Sequence, residues 1–159
     1  MNNSEEKLPF RIGVGIILLN QKNKVFIGKR IDNPKKFWQM PQGGINKNED
    51  YLQAAKRELE EETNIKSVKL IKKLDSWLKY DLPKNLLGKI WKGKYRGQKQ
   101  KWFIMKFLGN DNEINIRTDN PEFLEWKWIE GSKLPDVAVT FKVKVYKKLK
   151  KELTNLNLI

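Results

Sequence analysis

The 159-residue chain contains no cysteine and no histidine. Lack of cysteine excludes a disulfide framework and a thiol nucleophile. Lack of histidine removes the commonest general base and a frequent metal ligand. Any catalysis must therefore run on carboxylates, lysine, arginine, tyrosine, water and a metal ion. Long apolar runs are missing as well. The longest, Val14 to Leu19 around Gly15, is far short of a membrane span. The first ten residues, MNNSEEKLPF, lack the apolar stretch of a secretion signal. These absences lead us to expect a soluble, cytoplasmic protein, one domain over residues 1–159 with a flexible N-terminal tail over residues 1–9.

What is abundant is positive charge and aromatic bulk. Lysine and arginine number 33 against 19 acids, a net charge of +14, and there are six tryptophans and seven phenylalanines. Such an excess attracts polyanions and releases their counterions, although a compositional bias toward lysine and asparagine would produce the same count. Against this background one stretch stands out, Gly43 to Ile65, GGINKNEDYLQAAKRELEEETNI. Leu52, Ala55 and Leu59 recur at spacings of three and four, and Asn48, Glu49 and Asp50 suit a helix start, so the pattern predicts a helix over 49–62. At about 100° per residue, Glu58, Glu61 and Glu62 share one arc beside the apolar stripe, and Glu60 points away. Carboxylates at a helix C-terminus oppose the macrodipole and repel one another, each effect costing about 0.3–1 kcal/mol. A cation is expected there, and oxygen-only ligands suit Mg²⁺; a solvated acidic face held by i, i+4 pairs is the alternative.

Around this helix the periodicities predict strands over 11–19, 24–29, somewhere within 68–80, over 100–108 and over 123–129, the last with Trp126 and Trp128 on one side. The segment 31–44 reads as a loop, with Gly43 and Gly44 leaving room for a phosphate or metal to approach the main chain. Residues 81–97 read as an exposed basic loop and 109–121 as a polar connection. Apolar residues at Val139, Val143, Tyr146, Leu149 and Leu153 predict an amphipathic helix with a lysine-rich outer face. The order gives an α/β sandwich.

The acidic stretch also matches a spaced pattern: Gly43, five residues, Glu49, seven residues, Arg57-Glu58-Leu59, one residue, Glu61-Glu62, one residue, Asn64-Ile65. This resembles the Nudix box. Asn64 stands where the family has glycine, but asparagine tolerates the left-handed conformation that ends a helix, so a normal ending is expected. Further stretches, WQMPQGGI, WLKYDLP, GQKQKWF, PEFLEWKW and TFKVKVY, resemble the branch of that family that comprises bacterial RNA pyrophosphohydrolases and dinucleoside polyphosphate hydrolases.

The resemblance implies the Nudix fold, a mixed β-sheet sandwiched between α-helices. It implies Mg²⁺, or Mn²⁺, on Glu58, Glu61 and Glu62, with Gly43 and Glu122 joining the metal site, and either Glu62 or Glu122 acting as general base. It implies phosphate contacts from Arg11, Arg30, Tyr80, Lys99 and Lys101, and a nucleobase bracketed by Val139 and Phe141, although Phe141 equally suits a cap on the core. The loop 31–37 is about two residues longer than is usual in the branch. The implied substrates are 5′-triphosphorylated RNA or dinucleoside polyphosphates, with no membrane partner.

Overall fold

The computed structural model describes residues 7–32 and 37–159. The central strand β1, Phe10–Leu19, is a nearly continuous apolar run because both its faces are covered. Val14, Ile16 and Leu18 face one helical layer, and Ile17 and Leu19 face the other. A tight turn leads to β2, Val25–Arg30; Asn20 Oδ1 accepts from the Lys22 and Lys24 amides at 3.0 and 2.9 Å, and Asn23 adopts φ 58°. Next come β3, Gln42–Gly44, helix α1, Tyr51–Thr63, and strands β4, Val68–Lys73, and β5, Leu78–Asp81. The chain continues with β6, Gly97–Phe107, β7, Phe123–Ile129, and helices α2, Leu134–Val137, and α3, Val143–Asn155.

The seven strands form one mixed sheet in the order β4-β6-β1-β2-β7, with β3 added to β1 and β5 to β6. Strands β1 and β6 run parallel, from Phe10 opposite Gly97 to Leu19 opposite Lys106. α1 covers one face through Ala54, Ala55 and Leu59, which meet Phe26, Phe103, Met105 and Phe107. α3 covers the other through Val145, Tyr146, Leu149 and Leu153 against Ile27, Trp102 and Ile104. The expected sheet between helices is present, and Trp126 and Trp128 both pack on Phe26, with ring centroids at 5.7 Å in each case.

Several local expectations need correction. The end of the predicted loop 31–44 is strand β3, where Gly43 and Gly44 pair with Val14 and Gly13; three residues are too few to show a period. Of that loop, residues 33–36 lie outside the described residues, and so does most of the extended loop predicted over 31–37. Residues 1–6 of the predicted tail lie outside them too. The strand predicted within 68–80 is two strands, β4 and β5, both antiparallel to β6. The predicted basic loop 81–97 is not wholly exposed, since Leu86, Leu87, Ile90 and Trp91 pack against the core. The last helix begins at Val143, because Thr140–Lys142 form a 3₁₀ turn capped by Val139. Among the described residues no helix is long and apolar enough to cross a membrane.

Candidate active site

Helix α1 is pinned at both ends. Asp50 Oδ1 accepts from the Gln53 amide at 2.8 Å while Gln53 Oε1 accepts from the Asp50 amide at 3.1 Å, a capping box of the kind whose N-cap residue contributes about 1 kcal/mol. At the other end Asn64 takes φ 64° and donates its backbone N–H to the Glu60 carbonyl at 2.7 Å, the left-handed ending expected for it. With Leu59 pressed into the core, the last two turns present Glu58 half-buried, Glu62 only 4 % exposed and the Glu61 side chain 58 % exposed.

Arg57 organises the carboxylates. Its Nε and Nη2 donate to Glu49 at 2.7 and 2.9 Å, Nη1 donates to Glu58 at 2.9 Å and Glu61 at 3.1 Å, and Nη2 also reaches the Gly44 carbonyl at 2.9 Å. One planar guanidinium thus ties α1 to β3, a geometry that an ammonium could not reproduce. Burial raises the Glu58 carboxyl above its usual range even with Arg57 alongside, and the neighbouring Glu61 charge adds to that rise. Gly43 lies directly against the Glu58 carboxyl, where a methyl group would overlap it. Gly43→Ala is therefore expected to destabilise the protein by about 1–3 kcal/mol, the usual cost of overpacking, read as a lower thermal midpoint. An unchanged midpoint would mean that Glu58 swings aside freely.

Glu62 is the buried centre. Its Oε2 is buried without a hydrogen-bond partner. Burial first, then the charges of Glu58 and Glu122, push its carboxyl well above the ordinary range, while Arg30 and the Gln42 backbone oppose them. Glu122 enters from the residue before β7; its carbonyl accepts from the Ile31 amide at 3.0 Å, and its carboxylate lies 3.7 Å from Arg30. Arg30 is also paired with Asp32 at 2.6 Å, which holds the Asp32 carboxyl below its usual range. Glu58, Glu61, Glu62 and Glu122 line one cavity of about 670 Å³, together with Asn115, Thr118, Asp119 and Asn120. Thr118 Oγ1 is a second buried oxygen without a partner. As the side chains stand, no three acidic groups among the described residues converge on one ion position; Arg57 bridges Glu58 and Glu61 instead.

On the α3 side of the sheet lies a lattice of amides. Gln100 donates to Gln42 at 3.0 Å and to Gln98 at 2.8 Å, Trp102 Nε1 donates to Gln100 at 3.1 Å, and the Tyr80 hydroxyl donates to Gln98 at 3.2 Å. The Gln98 amide occupies the space that Gly13 leaves by having no side chain. Tyr80 is buried, with its ring 5.6 Å from that of Phe141. Lys142 is buried with Nζ donating to Gln39 at 3.0 Å and lying 5.4 Å from the Tyr80 ring. Burial, reinforced by the Arg30 charge, lowers the Lys142 ammonium to about 7.

Among the predicted phosphate contacts, Arg30 is engaged by Asp32 and Glu122, and Tyr80 belongs to the amide lattice. Arg11 stacks 5.4 Å over Trp91, its head against Gly44. Lys99 and Lys101 instead point to the α1 side, with Nζ 5.0 and 5.2 Å from the Trp77 ring, and Lys101 donates to the Asp75 carbonyl at 2.7 Å. Val139 and Phe141 are half-buried at the entry to α3, and Phe141 packs against the core while flanking Tyr80. Sequence reading gave no role to Arg57, Lys142 or the four glutamines. Arg57 had a signal, because it stands one turn before Glu61 and belongs to the spaced pattern with Glu58 and Glu61-Glu62. Lys142 had none, since nothing local separates it from the lysines of the outer face.

Fold and site together define a class: mixed α/β proteins in which one helix delivers a run of carboxylates to a cleft bordered by arginine. Residues 9–149 match the NUDIX domain family, and the chain belongs to that family. A curated relative from Pelagibacter ubique, "RNA pyrophosphohydrolase", is 62 % identical over 98 % of this chain and 99 % of its own. Another of the same description from Orientia tsutsugamushi is 47 % identical over 88 % of this chain and 87 % of its own. Among solved structures, the E. coli dihydroneopterin triphosphate pyrophosphohydrolase shares the fold with a TM-score of 0.68 at 20 % identity, covering 92 % of this chain and 99 % of that one.

Proposed function

We propose that this NUDIX protein is a metal-dependent RNA 5′-pyrophosphohydrolase, cleaving the anhydride between the α- and β-phosphates of a 5′-triphosphorylated transcript to leave a 5′-monophosphate and free pyrophosphate. The observation that carries the chemistry is the gathering of Glu58, Glu61, Glu62 and Glu122 around one cavity. The choice of RNA rests on the description of the 62 %-identical relative and on the +14 charge of the chain. A processor of transcripts acts where they are made, which favours a cytoplasmic site.

The donors suit a hard cation: all are oxygens, one buried oxygen of Glu62 has no partner, and Gly43 keeps the approach to Glu58 clear. Glu58, Glu61 and Glu62 would hold Mg²⁺ or Mn²⁺, with Glu122 and the Gly43 backbone beside it. Such an ion supplies charge neutralisation for the phosphates and lowers the pKa of a bound water. Around it, Arg11 and Arg30 attract and orient the anionic substrate. Of the two candidates for general base, Glu62 is the better placed. It is buried with one oxygen free of any hydrogen-bond partner and so open to a water proton, whereas the Glu122 side chain is 44 % exposed and faces Arg30. Val139 and Phe141 would bracket a base of the transcript, a stack worth about 1–3 kcal/mol.

The alternative substrate, a dinucleoside polyphosphate, would use the same carboxylates. A competition assay decides between them: with Mg²⁺, triphosphorylated RNA of a few nucleotides is expected to exceed diadenosine tetraphosphate in kcat/KM by tenfold or more, about 1.4 kcal/mol of transition-state preference. A chelator should abolish both activities. The reverse preference would assign the protein to dinucleotide clearance.

A further inference from the structure

We propose that the open end of the sheet on the α1 side binds a single-stranded RNA segment, guiding the chain that bears the reacting 5′ end. This rests on the reading of the substrate as RNA. Helix α1 covers β1 from Val14 onward, which leaves the first residues of β1 and β6 uncovered on that face. Phe10 and Ile12 alternate with Val14 and so share its face, and Ile12 pairs in register with Lys99. Strand β5 places Lys79 opposite Lys99. Ile12 is 42 % exposed, and Phe10 and Trp77 are half-exposed.

Rings and cations alternate across this face. Lys79 Nζ lies 5.2 Å from the Phe10 ring, and Lys99 and Lys101 lie 5.0 and 5.2 Å from that of Trp77. Tyr51, the first residue of α1, braces Trp77 edge-on at 5.3 Å. Lys101 is buried and holds the Asp75 carbonyl, whereas Lys79 and Lys99 are accessible and form no ion pair among the described residues. Half-exposed rings between uncompensated cations on a flat sheet suit a strand of nucleic acid, whose bases stack on the rings while its phosphates meet the lysines. A duplex hides its bases, and a protein partner would have to desolvate the lysines. Neighbouring strands lie about 4.8 Å apart, and β6, β1 and β3 are successive here. With two residues of offset along the strand between Ile12 and Val14, roughly 12 Å therefore separates the backbone of Lys99 from Gly43, which abuts Glu58.

The test measures binding of a 5′-hydroxyl 12-nucleotide RNA by fluorescence anisotropy across a salt series, alongside turnover of a triphosphorylated dinucleotide, which has no chain beyond its second nucleotide to lie along the face. Ile12→Glu, at an exposed position, is expected to weaken 12-mer binding about tenfold. Lys79→Gln should lower the logarithmic salt slope by about 0.7, one phosphate contact on a single strand. Both variants should keep the wild-type thermal midpoint and dinucleotide turnover. A 12-base-pair duplex should bind less tightly than the single strand. Wild-type affinity in both variants overturns the proposal. So does an equal loss on Lys147→Gln/Lys148→Gln of the exposed α3 face, because charge alone would then account for binding. Absence of RNA turnover in every form would refute the substrate reading, and the binding series would still decide the platform.

Discussion

Glu62→Gln is expected to reduce turnover by about 10²–10⁴-fold, the usual contribution of a positioned acid or base, while raising thermal stability. The two effects have one origin. The Glu62 carboxyl is buried, has one oxygen without a partner and feels the charges of Glu58 and Glu122. Its folded-state pKa therefore stands above the unfolded value. A group shifted in that direction contributes stability that is present below its unfolded pKa and is lost as pH rises through the folded one. At neutral pH the wild type bears that loss, and the amide does not. Relief of even about 1 kcal/mol moves the midpoint up by roughly 2–4 °C in a protein of this size. Lys142 works in the opposite sense: lowered to about 7, it favours the folded state progressively as pH rises from there toward the ordinary lysine value. Compared with wild type, the stability curve of Glu62→Gln should therefore tilt upward with pH above the carboxylate range. Thermal melts from pH 5 to 9 in chelator, with parallel kcat measurements in Mg²⁺, check this. Retained turnover in a folded Glu62→Gln protein would remove Glu62 from the chemistry.

Arg57→Gln is expected to be the most damaging single change to the architecture of the site. The guanidinium makes contacts at 2.7–3.1 Å to Glu49, Glu58, Glu61 and the Gly44 carbonyl. Removing it leaves Glu58 half-buried beside Glu61 with no positive neighbour at hydrogen-bonding distance. Loss of one partner from a buried pair costs about 3–5 kcal/mol, and partial exposure of this cluster reduces the expectation to about 2–3 kcal/mol. Arg57→Lys should recover little, since a point charge cannot bridge carboxylates and carbonyl in one plane. The Glu49 carboxyl is held below its usual range chiefly by Arg57, so its contribution is present above the unfolded pKa and disappears as pH falls through the folded one. The gap between wild type and Arg57→Gln should narrow in acid. Equal melting of the two proteins at pH 7 would show that the clamp is a surface pair without energetic weight.

Together these expectations separate two functions of the acidic stretch. Arg57 holds the carboxylates in place, and Glu62 is the buried group to which we assign the proton transfer and whose burial costs stability. Both act at the same helix end, yet one substitution should weaken the fold and the other strengthen it.

The helix expected over 49–62 is found over 51–63, with Asp50 as its cap, and it was legible because its determinants are local. The apolar stripe, the Asp50 start and the left-handed tolerance of Asn64 all act within a few residues, and each strand with a clear period was found on the same ground. The shared arc of Glu58, Glu61 and Glu62 followed from helical geometry alone. What only the tertiary structure decided is which of those carboxylates is buried, since that depends on β3 and on Glu122 arriving from more than fifty residues away. Residue Lys142 shows the same limit, because its local sequence matches the exposed lysines of α3, and only packing beneath Gln39 and Tyr80 lowers its charge. Lys99 and Lys101 lie on the α1 face for a reason equally remote: strand alternation relative to Gly13 and Gln98, set by the parallel pairing of β1 with β6. Local periodicity determines elements, whereas burial and the side of a sheet depend on partners distant in the chain.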